Sequence, residues 1–206
     1  QQAAKGLPWA SHLRVRGVIA LSRVKGQGAA SLALAEQYRA EYPDDRMIAG
    51  YLGLTYLNQN NIQEGVSLLK EAGKAKQPLL MVSFHLGAMA HQRGDLTAAE
   101  AHLRKEIEFH PKNVLAFRLL KDVYVATKNW DGMVQLAQRA LEFRNTVEWT
   151  HIKVLGLFNN REYERCRRIL DVAMKRYPES SHLALMDANL LQKEGKESEA
   201  MQRLEE

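Results

Sequence analysis

The chain has 206 residues, of which 46% are hydrophobic and 26% are charged, and this balance excludes an intrinsically disordered protein. Its formal net charge of +5 slightly favours an acidic partner, and its single cysteine, Cys166, excludes an intramolecular disulfide and a cysteine-rich metal site. No apolar run approaches the roughly 20 residues that a membrane helix needs, so we expect a soluble protein of the bacterial cytoplasm or periplasm, without a membrane span. The chain begins with Gln1 rather than Met, which favours a fragment or a processed product.

The predicted elements are helices throughout, and prolines separate them. Ala, Leu, Glu, Gln, Lys and Arg dominate stretches in which apolar residues recur every three to four positions. Pro43, Pro78 and Pro111 are separated by 35 and 33 residues, and Pro178 follows 67 residues later, at nearly twice that spacing. Because proline cannot continue a helix, each of these positions indicates the end of a helical segment. A period of about 34 residues predicts a repeat protein.

Small residues occupy fixed places in this period. In the middle of the chain, Gly87 falls in the first helix of a pair, Asp95 in the turn and Ala99 in the second helix. Gly53 and Gly65 occupy the places of Gly87 and Ala99 one repeat earlier. Small side chains there allow two antiparallel helices to approach closely. We therefore predict an N-terminal extension at residues 1–11 and a single array at residues 12–206, with repeats at 12–45, 46–79, 80–113, 114–146, 147–180 and an incomplete one at 181–206.

The clearest copy of the motif comprises Leu86-Gly87, Ala90, Gly94-Asp95-Leu96, Ala99, Leu103 and Pro111. It resembles the motif of the tetratricopeptide repeat (TPR) family, although Glu106 stands where that family usually has a second Ala. In the fifth repeat, Leu155-Gly156 fall two places late, which leaves the register of its first helix open. The resemblance implies an all-α fold: a right-handed superhelical α-solenoid of antiparallel helix pairs, with about six repeats.

Residue types that carry catalysis or bind metals do not form a recognisable site in the sequence. His85 and His91 are six residues apart, which does not match the i, i+4 spacing of two ligands on one helix. Cys166 stands where the repeat has Ala, so we interpret it as a small buried thiol. The basic segment 161–168 is interrupted by Glu162 and Glu164, which favours a solvated helix face over a nucleic-acid site. We expect no catalytic residue, cofactor or metal and no enzymatic activity, and the sequence disfavours a nucleic-acid partner.

In TPR proteins the first helices of successive repeats line a concave groove, and the resemblance implies that role for the matching positions here. The groove is expected to be basic at its first end and apolar in its middle, which suits a peptide or helix that is amphipathic and carries acidic residues. The side chains assigned to it are Arg16, Arg23, Met47, Tyr51, Leu54, Asn58, Met81, Phe84, His85, His91, Arg118 and Asp122.

These observations favour a protein–protein interaction scaffold that binds a peptide or helix in its groove, with a bacterial assembly or secretion system as one setting. Two alternatives stay open: a regulatory or substrate-recruiting TPR arm of a larger enzyme, and an RNA-binding helical repeat. The ligand could also come from a second copy of the chain, giving a homo-oligomer, or from the chain's own segment Leu7-Pro-Trp9, whose tryptophan would act as an anchor.

Overall fold

The structure, a computed structural model, describes residues 8–205, with side chains for residues 10–204. Within this range every regular element is helical, which confirms the predicted all-α class. The expectation for Leu7-Pro-Trp9 falls on side chains outside this range. The helices are α1 (Pro8–Ser22), α2 (Gly28–Glu41), α3 (Arg46–Asn58), α4 (Ile62–Ala72), α5 (Val82–Gln92), α6 (Leu96–Phe109), α7 (Val114–Thr127), α8 (Trp130–Leu141), α9 (Val147–Asn159), α10 (Tyr163–Arg176), α11 (Ser181–Lys193) and α12 (Glu197–Glu205).

The chain divides into two compact units, residues 1–116 and 117–206, with the boundary inside α7. In the first unit, α1 packs on α2, α3 on α4 and α5 on α6. In the second unit, α9 packs on α8 and α10, and α11 packs on α12. Among residues 8–205, no helix combines the length and hydropathy needed to cross a membrane. The same range holds no cluster of three His, Cys, Asp or Glu side chains arranged for a metal ion.

Glycines set the close approach of the helix pairs in the first unit. A Cβ atom on Gly53 would lie 3.0 Å from the Leu69 side chain and 3.1 Å from the carbonyl oxygen of Gly65, both on α4. A Cβ atom on Gly87 would lie 2.8 Å from Cγ of Leu103 on α6. These separations are too short for a larger side chain, which confirms the packing role predicted for the small residues.

Gly156 contacts a different helix from the one that the motif would predict. A Cβ atom on it would lie 2.7 Å from Cγ2 of Val134 and 3.2 Å from the carbonyl oxygen of Trp130, both on α8. Gly156 therefore allows α9 to approach the helix before it, whereas Gly87 allows α5 to approach the helix after it. Val154 occupies the repeat position that corresponds to Gly87, and it is fully buried. This change of partner accounts for the shifted Leu-Gly pair in the fifth repeat.

Glu106 departs from the repeat motif because it caps a neighbouring helix. Its side chain is 1% exposed, and its two carboxylate oxygens accept hydrogen bonds from the backbone N–H groups of Met81 (2.8 Å) and Phe84 (3.2 Å). Asn113 Nδ2 donates to the same carboxylate at 2.8 Å. Met81 has a left-handed backbone, φ 75°, at the point where α5 begins. The first N–H groups of a helix lack intrahelical acceptors, so the buried carboxylate replaces an ordinary N-cap.

Two further side chains, near the C-terminal end of α6, contact backbone carbonyl oxygens in the segment between α4 and α5. Lys105 Nζ donates to the carbonyl oxygens of Gly73 and Ala75, each at 2.8 Å. His110 Nε2 lies 3.0 Å from the carbonyl oxygen of Pro78, which can only accept a hydrogen bond. The connection is thus fixed by the repeat that follows it.

Asp45 joins α1 to the start of α3. Its buried carboxylate accepts from Ser11 Oγ (2.5 Å), from Arg14 Nη2 (2.7 Å) and from the backbone N–H of Met47 (3.0 Å). Burial alone would raise the pKa of Asp45, but the hydrogen bonds from Ser11, Arg14 and Ile48 outweigh it and lower the pKa below its ordinary value.

Cys166 is fully buried in the core of the second unit, as the sequence predicted. Its thiol lies 3.5 Å from the carbonyl oxygen of Val154 on α9. Burial raises the pKa of Cys166 to about 11. A thiol with this pKa is almost entirely protonated at neutral pH, so it lacks the thiolate that nucleophilic chemistry requires.

Candidate peptide-binding surface

Four of the predicted groove residues form one stripe on α3. Met47, Tyr51, Leu54 and Asn58 follow one another at intervals of four, three and four residues, so they share one helix face. Asn58 is exposed, and the other three are half-buried against the core cluster that contains Leu52. The stripe is therefore held by the core on one side and open on the other.

Tyr51 has a structural contact that its position in the sequence did not reveal. Ser31 Oγ on α2 donates its proton to the carbonyl oxygen of Val18 at 2.8 Å. The Tyr51 hydroxyl lies 2.7 Å from the same Ser31 oxygen and must be the donor in that pair. The Tyr51 hydroxyl thus joins α3 to α2, while its aromatic ring contributes to the stripe.

Four more of the predicted residues lie on α5 or at its N-cap position, which Met81 occupies. Met81, Phe84, His85 and His91 are all half-buried, and the rings of Phe84 and His85 meet edge to face with centroids 5.5 Å apart. Asn113 Nδ2 lies 3.4 Å from the Met81 sulfur. Burial lowers the pKa of His85, despite the opposing charge of Glu106, so the imidazole is neutral at pH 7. The α5 stripe is consequently aromatic and uncharged in its middle.

The two stripes belong to neighbouring helices of the first unit. A Cβ atom on Gly50 of α3 would lie 3.1 Å from Cγ2 of Val82, the first residue of α5. Gly50 precedes Tyr51 in sequence, and Val82 lies between Met81 and Phe84 in sequence. This contact between Gly50 and the Val82 side chain places the aromatic part of α3 near the start of α5.

The four charged groove residues fall into two groups. Arg16 on α1 and Arg23, which directly follows α1, are both exposed, and neither has a carboxylate partner in the part of the chain that the structure describes. Arg118 and Asp122 lie on α7 in the second unit, where Arg118 pairs with Glu148 at 3.2 Å and Asp122 pairs with its sequence neighbour Lys121 at 2.8 Å. Of these four residues, Arg16 and Arg23 alone can meet an acidic ligand without breaking an ion pair that the structure describes.

An apolar cavity of about 540 Å³ extends the α5 stripe beyond the predicted residues. Met81 lines it together with Leu80, Val114 and Leu115, and the polar lining includes Lys112. Leu80 is 49% exposed and Leu115 is 51% exposed, and because both line this cavity they present exposed apolar surface in one place. Leu80 was not among the residues predicted for the surface, and its only sequence signal was its place directly before Met81. A cavity of this composition can accept an apolar side chain of a ligand.

Comparisons with known proteins identify the fold. No protein-family model matches the sequence, and no curated protein matches it either. Among solved structures, YrrB, described as a TPR protein with an unusual peptide-binding site, is 13% identical with a TM-score of 0.64, and the match covers 83% of this chain and 89% of YrrB. A chain in a structure of Naa15/Naa10 bound to HypK-THB is 18% identical with a TM-score of 0.68, covering 95% of this chain and 31% of that one. MamA MSR-1 is 18% identical with a TM-score of 0.57, covering 78% of this chain and 92% of that one.

The chain therefore has a helical-repeat fold of the α-solenoid class. It is more particularly a TPR-like fold, and the resemblance drawn from the sequence motif is confirmed at that level. Identities of this size show the fold alone, so the predicted groove residues remain a prediction, as does the division into repeats. The structure places α1 from Pro8, inside the segment assigned to an N-terminal extension.

Proposed function

We propose that the protein is a non-enzymatic scaffold that binds a peptide or an amphipathic helix of a partner protein on the stripes of α3 and α5. The observation that carries this proposal is the half-buried state of Met47, Tyr51, Leu54, Phe84 and His85. Side chains held by the core on one side lose little conformational entropy on binding, so they are suited to act as anchors. A bacterial assembly or secretion system is the setting that we propose for this scaffold.

The charges beside the stripes favour an acidic partner. Arg16 and Arg23 have no carboxylate partners among the described residues, whereas the middle of the α5 stripe is neutral because burial lowers the pKa of His85. An amphipathic segment with apolar anchors and acidic residues complements this pattern. The peptide-binding site for which YrrB is described supports the same class of ligand.

A selection from a random peptide library, followed by titration of the selected peptide, tests the proposal. Replacing Phe84 by Ala removes an aromatic anchor and should weaken peptide binding more than tenfold, or about 1.4 kcal/mol. Ile62→Ala is the matched control, because Ile62 lies on α4 and is 53% exposed. If Ile62→Ala weakens binding and Phe84→Ala does not, the ligand uses the surface of the second helices and the proposal is wrong.

Tyr51 needs a more conservative change, because its hydroxyl also holds α3 to α2 through Ser31. Tyr51→Phe removes that hydrogen bond and keeps the ring. We expect it to lower the free energy of unfolding by about 0.5–1.5 kcal/mol and to leave peptide affinity within twofold. A large loss of affinity with unchanged stability would show instead that the ligand itself binds the hydroxyl group.

A further inference from the structure

The second unit contains a cavity of about 360 Å³ that is lined by α8, α9 and α10. Three cationic side chains line it, Lys153, Arg168 and Arg176, and none of the lining residues is acidic. Its apolar lining includes Ile169 and Val172. This surface does not contain any of the residues assigned to the α3 and α5 stripes.

The cations of this cavity are poorly neutralised by the protein. Neither Arg168 nor Arg176 has a carboxylate within ion-pair distance in residues 10–204, and the Arg176 guanidinium lies 5.4 Å from the centre of the Tyr177 ring. The Lys153 ammonium donates to the neutral side chain of Gln138. Burial and the nearby charge of Arg165 both lower the pKa of Lys153, which indicates that its positive charge is held at an energetic cost. An anionic ligand would relieve that cost.

The spacing of the cations indicates the kind of anion. Arg168 and Arg176 are eight residues apart on α10, which corresponds to a rise of about 12 Å along the helix. Two anionic groups at a comparable separation would match this spacing, and an extended peptide, which rises about 3.3 Å per residue, can supply them. Two acidic side chains about four residues apart on such a peptide would match the two arginines.

The apolar lining favours a peptide over a nucleic acid. Val172 is 68% exposed and lies, with Ile169, among the cations, so an apolar side chain between the two acidic ones would be covered on binding. Single-stranded nucleic acids are usually bound through open aromatic faces as well as cations. The only aromatic lining residue, Tyr177, already has a guanidinium over its ring and donates its hydroxyl to the carbonyl oxygen of Asn145 at 3.3 Å.

We propose that the cavity between α8, α9 and α10 is a second binding site, which takes an acidic peptide segment with an apolar residue between its carboxylates. Arg168 and Arg176 bind the two outer carboxylates, Lys153 strengthens the positive field, and Ile169 and Val172 contact the apolar side chain. The site is separate from the stripes of α3 and α5, so it does not depend on the function proposed above.

The test is a titration of the full chain with a labelled peptide that contains Glu-Ser-Leu-Ser-Glu, followed by fluorescence anisotropy. In an extended peptide the two Glu side chains and the Leu side chain between them point to the same face. The double variant Arg168→Gln, Arg176→Gln should raise the Kd at least tenfold. Lys175→Gln, Lys193→Gln is the matched control, because both lysines are exposed in the same unit, neither lines the cavity and the net charge changes equally. The control should change the Kd less than twofold.

Two further arms separate the alternatives. Val172→Ser should weaken the peptide severalfold at unchanged helical content, since this side chain is 68% exposed in the free protein. A single-stranded oligonucleotide and the same peptide with Lys in place of both Glu residues should compete poorly. If both double variants lose affinity for the peptide equally, binding depends on net charge alone and the proposal is overturned. Tighter binding of the oligonucleotide than of the acidic peptide would also overturn it, in favour of a nucleic-acid site.

Discussion

Replacing Glu106 by Ala should destabilise the protein, although Ala is the residue that the repeat motif favours at this place. The corresponding positions of other repeats hold Ala72, Ala140 and Ala173, all of them buried. A consensus argument therefore predicts that Glu106→Ala is neutral or stabilising. The hydrogen bonds of the Glu106 carboxylate predict the opposite.

The magnitude follows from the three donors that converge on the carboxylate. The substitution leaves the N–H groups of Met81 and Phe84 and the amide of Asn113 without this acceptor. A hydrogen bond to a charged group contributes about 1.5–3 kcal/mol, and an N-cap about 0.5–2 kcal/mol. Removing the desolvated carboxylate recovers part of this loss, and water can reach the half-buried start of α5. We expect a net loss of about 2–3 kcal/mol in the free energy of unfolding.

Urea denaturation followed by far-ultraviolet circular dichroism measures this loss. Glu106→Gln keeps one acceptor oxygen but turns an amide N–H₂ toward a backbone donor, so its stability should lie between those of the wild type and Glu106→Ala. Glu108→Ala is the control, because Glu108 is exposed on the same helix and carries the same charge. If Glu106→Ala is as stable as the wild type or more stable, the carboxylate does not act as the cap of α5.

Three further predictions concern packing, reactivity and pH. Gly87→Ala should lower the free energy of unfolding by about 1–3 kcal/mol, because its Cβ would lie 2.8 Å from Cγ of Leu103. Gly17→Ala should raise it by about 0.5–1 kcal/mol, because a Cβ atom there would have no neighbour within 4 Å outside its own helix. The thermal unfolding midpoints of the two variants should therefore shift in opposite directions. Cys166, with a pKa of about 11 and a buried thiol, should react with Ellman's reagent at pH 8 only after denaturation, and rapid labelling of the folded protein would contradict its assigned position. Asp45 has a lowered pKa in the folded protein, so the ionised carboxylate stabilises the fold above the unfolded pKa of about 3.9, and this stabilisation is lost as the pH falls through the folded pKa. The difference in free energy of unfolding between the wild type and Asp45→Asn should therefore shrink below pH 4. A difference that stays constant with pH would exclude this linkage.

The parts of the fold that recur could be predicted from the sequence. Gly87 and Ala99 stand at fixed distances within one period, and this spacing reflects the same helix crossing in successive repeats. Cys166 could be interpreted correctly for the same reason, since its place in the repeat requires a small buried side chain. The role of Gly156 could not be predicted, because a glycine shifted within the repeat can allow α9 to approach either neighbouring helix. Only the contact with Val134 shows that the neighbour is α8.

The candidate binding surfaces could be predicted from the sequence only in part. Repeat register placed Tyr51 and Phe84 on first helices, but it could not show that the Tyr51 hydroxyl bonds to Ser31, which is 20 residues away in sequence. The basic cavity of the second unit combines side chains from Gln138 to Tyr177, on three helices. Arg168 was interpreted from its own segment as part of a solvated face, because the apolar and cationic neighbours that define the cavity lie elsewhere in the chain.

The polar contacts from Lys105 and His110 to the connection before α5 have a consequence for local opening. The carbonyl oxygens of Gly73, Ala75 and Pro78 are held by side chains from the following helix pair, so fraying of α6 releases a loop that precedes α5 as well as α6 itself. The second and third helix pairs should then exchange their amide hydrogens as one cooperative unit rather than as two. A protease site placed in the 73–81 loop would report the opening of α6, even though α6 begins 15 residues after the loop ends.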